Sequence, residues 1–147
     1  MKKIFKKSLI PLSMLAACFT LFSFTSRWGG EGFEIFLNNR LISQQFGKDM
    51  NTVKSLQLDQ RYSNAELTIK YYHCGKAGKN REISIRDDQN NLLKKWSFDN
   101  ASVSDNGMSC PVNEILSLEK RNNSKAMNLY YSSDELPNGR LLMTIVR

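Results

Sequence analysis

From Phe33 onward, apolar side chains recur at every second position in short runs, and this period most constrains what the chain can fold into. The clearest run is 65–72, where Leu67, Ile69 and Tyr71 alternate with Glu66, Thr68 and Lys70. A strand of that kind keeps one face in a core and the other in water. Similar runs cover 33–37, 41–46, 82–86, 92–98, 126–131 and 141–146, with a weaker one at 52–58. Asn38-Asn39 separates the first two, and asparagine tolerates the positive φ of a tight hairpin turn. Asp87 to Asn91 supplies a second hairpin, and Leu136-Pro137-Asn138-Gly139 is expected to turn the chain between the last two strands. One segment has a helical signature, 112–121. Asn113 is its expected cap, Glu114 suits the positive end of the helix dipole, and Lys120-Arg121 suit the negative end. Seven to eight short strands and one short helix predict an antiparallel β-sandwich or small barrel.

The first 26 residues follow a different rule. Lys2, Lys3, Lys6 and Lys7 precede a stretch from Ser8 to Thr25 that carries no charge. A basic start, an apolar run and small residues near its end read as a secretory signal. Its processing stays open between two routes. Leu15-Ala16-Ala17-Cys18 resembles the lipobox of bacterial lipoproteins, which would lipidate Cys18. Ordinary cleavage near Ser26 is the other, favoured because Cys18 is followed by the apolar run Phe19 to Phe24. The organisation expected is therefore a signal over 1–26, a Gly-rich lead-in over 27–32, and a single β domain over 33–147. With 147 residues, 41% of them hydrophobic, a second domain would have too small a core. Four of the seven net positive charges belong to lysines 2–7, so a chain starting near residue 27 carries +3. The basicity thus belongs to targeting and gives no reason to expect nucleic acid as a partner.

Export colours the cysteine reading. Cys74 and Cys110 form an even pair in an oxidising compartment, where a disulfide between them is expected. His73 beside Cys74 does not make a zinc site, because close pairs of ligands are missing. Adjacent strand residues point to opposite faces, so the two do not form a nucleophile pair either. Gly75-Lys76-Ala77-Gly78-Lys79 fails the phosphate-loop pattern at both His73 and Asn80. Its basic residues Lys76, Lys79 and Arg81 remain candidates for weak anion contact. Asp87 and Asp88 could offer oxygen to calcium, but turns use aspartate anyway. Neither a metal nor another cofactor is expected. In the doublets Tyr71-Tyr72 and Tyr130-Tyr131, one ring of each must face outward. Tyr72 and Tyr131 are the candidate ligand contacts.

The stretch Tyr71 to Lys79, with Ile83-Ser84-Ile85-Arg86-Asp87 and Lys95-Trp96-Ser97-Phe98, is similar to small exported proteins of Bacteroidota-type bacteria. That resemblance implies a location, periplasmic or secreted, and no activity. The function expected is a non-enzymatic envelope interaction or accessory module. A carbohydrate- or peptide-binding module using outward tyrosines is the alternative, and a small hydrolase or hydrolase inhibitor a third. Membrane contact is expected only through the signal segment or a lipid on Cys18.

Overall fold

A computed structural model describes residues 30–102 and 105–147. The signal segment, with Cys18, and residues 27–29 of the lead-in lie outside these residues. The strands form two sheets. The first has four: β1 (Gly32–Leu37), β2 (Arg40–Phe46), β4 (Glu66–Tyr72) and β7 (Met108–Pro111), in the order β2-β1-β4-β7. The second has five: β3 (Lys54–Gln57), β5 (Arg81–Arg86), β6 (Leu92–Phe98), β8 (Ala126–Ser133) and β9 (Leu136–Val146), in the order β3-β9-β8-β5-β6. The helix α1 (Val112–Asn122) follows β7. The described residues are mainly β and form no closed barrel.

Alternation builds the core. Phe33 and Ile35 on β1 pair with Tyr71 and Ile69 on β4, and Phe33, Ile35, Leu67 and Ile69 are fully buried. In the second sheet Ile83 and Ile85 pair with Tyr131 and Leu129 in β8, which in turn lie beside β9. The helix adds Val112, Ile115, Leu116 and Leu118 to the same cluster. Burying each such side chain contributes about 1.5–3 kcal/mol relative to leaving it exposed.

The Asn38-Asn39 turn holds, with φ of 48° and 63° at the two residues. The Asp87 turn is also made, and its carboxylate is consumed in it. Its Oδ2 accepts from Asn91 Nδ2 at 2.9 Å and its Oδ1 from the amides of Asn91 at 2.7 Å and Gln89 at 3.0 Å; the Asn91 side chain first, then these amides, hold the carboxyl below its usual range. Other expectations are corrected. Met108–Pro111, not among the expected strands, is a strand that seats Cys110 opposite Leu67. The weak 52–58 run yields β3, which pairs parallel with β9. Asn113 does not cap α1. Pro111 occupies that position, and the Val112 amide donates to the Ala65 carbonyl at 3.0 Å, so backbone satisfies the first helical N–H. Residues 136–139 do not turn the chain. Ser133 pairs with Leu136, which leaves Asp134-Glu135 as the turn. Gly139, at φ 70°, instead serves a register shift inside the β8–β9 ladder.

Candidate functional site

The inward positions of β4 and β8 change character along their length. Leu67 and Ile69 are followed by Tyr71 and, just past the strand, His73. Met127 and Leu129 are followed by Tyr131 and Ser133. The period of two therefore delivers an apolar core and then a polar end, with both sheets reaching that end together. Across the sheets the Tyr71 and Tyr131 rings stack with centroids 4.1 Å apart and 13° between planes. His73 leans on both, at 4.9 Å from the Tyr71 centroid and 5.7 Å from that of Tyr131.

Two polar groups finish this end. In the first, Tyr71 donates its hydroxyl to Glu31 and accepts from Arg140 Nε at 3.1 Å. Burial, then the Glu31 bond, pushes the Tyr71 phenol pKa up, so it stays a neutral donor. In the second, His73 Nε2 lies 2.9 Å from the Tyr131 hydroxyl and 3.2 Å from Ser133 Oγ. The Glu135 carboxylate is 4.0 Å from the same nitrogen. Burial lowers the His73 pKa, Glu135 and Glu31 raise it, and Lys76 lowers it. A serine, a histidine and a carboxylate thus meet, but on one ring nitrogen. A nucleophile relay needs the carboxylate on the opposite nitrogen, where it orients the base. The geometry holds the sheets together rather than passing a proton along.

Beside this network opens a groove of about 540 Å³. Its walls include Lys70, Tyr72, His73, Lys76, Gly78 and Asp105. Tyr72 is 40% exposed. Its ring stacks on Phe46 at 5.8 Å, and its hydroxyl donates to Glu34 at 2.8 Å. Phe46 in turn lies over Gly32, where any Cβ would stand 2.0 Å from the ring. These contacts fix the Tyr72 ring as a platform rather than a loose side chain. The loop after His73 is pinned too. The Lys79 amide donates to Glu135 at 3.0 Å, and the Asn80 amide donates to Asn100 Oδ1 at 2.9 Å.

The structure separates the residues picked from sequence. Tyr72 faces outward as expected. Tyr131 does not: it is fully buried, because it pairs with Ile83 on the core side, and Tyr130 takes the outer position. Lys76 and Lys79 are exposed, and Lys76 lines the groove. Arg81 turns inward. It is 6% exposed, donates from Nε to the Asp99 carbonyl at 2.7 Å, and pairs with Asp105. It shares the inward parity of Ile83 and Ile85, so it is a core ion pair rather than an anion contact. The expected Cys74–Cys110 disulfide is absent. Cys110 pairs with Leu67, whereas Cys74 lies beyond the end of β4. At about 3.3 Å per residue that offset is roughly 20 Å, well over the limit of about 7 Å for a bridge.

Sequence reading missed Lys70, Phe46, Asp105, Glu31 and Arg140. Only Lys70 had a local signal, since it shares the outward parity of Tyr72. Among the described residues no group of histidine, cysteine and carboxylate side chains is placed to hold a metal. Among them, too, no helix is long and apolar enough to cross a membrane. No protein-family model, curated protein or solved structure matches the chain.

Proposed function

We propose that the chain is an exported, non-enzymatic β-sandwich that works as an interaction module of the bacterial envelope, with the groove beside Tyr72 as its docking site. One observation carries this reading. An exposed aromatic ring, fixed by Phe46 and Glu34, stands at the rim of a groove built on paired strands and a pinned loop. Binding sites made of rigid elements lose little ordering entropy when a ligand arrives. The signal-like first segment, with release near Ser26 or lipidation at Cys18, supports a periplasmic or secreted location. The similarity to small exported Bacteroidota-type proteins agrees with that location.

The test is photo-crosslinking in an exporting bacterium. A diazirine side chain at position 76 samples the groove, and one at Leu92 samples an exposed site on β6. The reading expects a discrete adduct from position 76, lost with Tyr72→Ala, and none from position 92. Equal adducts from both positions, or an adduct that survives Tyr72→Ala, would remove the groove from the account.

A further inference from the structure

We infer that the groove takes an anionic saccharide, a sugar ring carrying a carboxylate, with the ring on Tyr72 and the acid on Lys76 and Lys70. This rests on the groove being the docking site and names the chemistry that would fill it.

The charge around the groove has one sign left over. Asp105 is the acid in its lining, and Arg81 neutralises it from behind. His73 stays neutral near pH 7 because burial disfavours its charged form. Tyr72 is neutral as well, its phenol pushed up to about 12 by burial and by Glu34. Glu34 faces Lys70 across the β1–β4 pairing while accepting from Gln44 Nε2 at 2.8 Å and from Tyr72, so this carboxylate offsets one lysine and Lys76 is the charge left over. Among the described residues no carboxylate lies within ion-pair distance of Lys70 or Lys76. Lys70 Nζ rests 5.5 Å from the Phe36 centroid, a half-buried contact on a flexible lysine stem. The lining therefore presents a net positive field toward its occupant, which favours an anion.

The aromatic part points to a sugar. A flat ring face offered at a groove rim is matched by the apolar face of another ring. The site lies at Lys70–Tyr72, past the Glu66–Ile69 stretch of β4 that pairs with β7, so β4 has β1 on one side there and the groove on the other. The edge freed in this way is short, so an extended peptide would find little backbone pairing along it, and the Tyr72 ring and the lysines carry the recognition. The volume of about 540 Å³ lies within the range of small-ligand sites.

Calorimetry on the full exported chain separates the possibilities. The probes are a trigalacturonate, the neutral trisaccharide of the same linkage, and a hexaglutamate peptide, each at low and high salt. The inference expects the acidic sugar to bind best, with affinity falling on added salt. Tyr72→Ala should weaken it about tenfold, and Lys70→Gln/Lys76→Gln by a similar factor, since charge-assisted contacts are the stronger kind. The double lysine variant keeps its fold, which its thermal midpoint verifies. Equal binding of the neutral sugar, unchanged in the lysine variant, overturns the anionic assignment and leaves the groove as the docking site. Stronger binding of hexaglutamate that depends on the same residues replaces the saccharide with an acidic peptide. Binding of the acidic sugar that neither variant alters overturns the assignment of both ligand and groove, and so does failure of all three probes to bind the wild-type chain.

Discussion

Replacing Tyr131 by alanine discriminates sharply between the two faces this residue could occupy. On the outer face of β8 its loss would fall within about ±0.5 kcal/mol, as for most surface substitutions. In the structure it is fully buried, stacked 4.1 Å from Tyr71, and bonded through its hydroxyl to His73. Deleting a buried aromatic ring costs about 3–5 kcal/mol, which already includes the cavity it leaves. A stacked aromatic pair places the loss toward the upper part of that range. Tyr131→Phe keeps the ring and removes only the hydroxyl, so it should cost about 1–2 kcal/mol, the value of one buried hydrogen bond with its partner left short. Urea denaturation followed by tyrosine fluorescence reads both variants. With a slope of about 1–3 kcal/mol per molar urea, the alanine variant should lose roughly 2 M in midpoint. An alanine variant within about 0.5 kcal/mol of wild type would place Tyr131 outside, and the cross-sheet network with it.

Three further outcomes follow from single contacts. His73 has a folded pKa below its unfolded value, so the unfolded chain binds more protons as pH falls. Its contribution to stability is whole above about pH 6.5 and is lost as pH falls from there toward the folded pKa. The urea midpoint should drop between pH 7.5 and 5.5, and the drop should shrink in His73→Gln; an undiminished drop assigns it elsewhere. In the native protein Cys74 should alkylate quickly, being exposed. Cys110 is fully buried, with its thiol pushed up to about 12 by burial and then Glu114, and should alkylate only on unfolding. Intact mass after oxidation that shows two protected thiols until reduction would restore the bridge. Asn39 sits at φ 63° in the β1–β2 turn, so Asn39→Gly should raise the midpoint of thermal unfolding by a few degrees, about 0.5–1 kcal/mol; a lower midpoint would mean the turn adopts another geometry.

Much of this arrangement was legible, and the misreadings have specific causes. The parity of Leu67, Ile69 and Tyr71 fixed Tyr72 outward, and it is outward. The same parity runs through Met127, Leu129 and Tyr131, and through Arg81, Ile83 and Ile85. Followed strictly, it sends Tyr131 and Arg81 inward, so those two errors came from weighing residue type above position. Other features had no local signal. Nothing in Lys54–Gln57 specifies a parallel partner in β9, because alternation gives a face and not a neighbour. Met108–Pro111 is too short to show a period. An oxidising compartment favours a disulfide but carries no distance between Cys74 and Cys110. Glu31 reaches Tyr71 and Arg140 from outside any strand, and its contact with Arg140 on β9 is set by how the two sheets meet.

Hydroxyl-radical footprinting, read residue by residue by mass spectrometry, tests the central claim most directly. It would be run on the purified protein and on the protein in its own envelope. The account predicts oxidation of Tyr72 in the purified protein, protection of Tyr72 in the envelope, and no oxidation of Tyr131 in either. Oxidation of Tyr131, or a Tyr72 equally labelled in both settings, would contradict it.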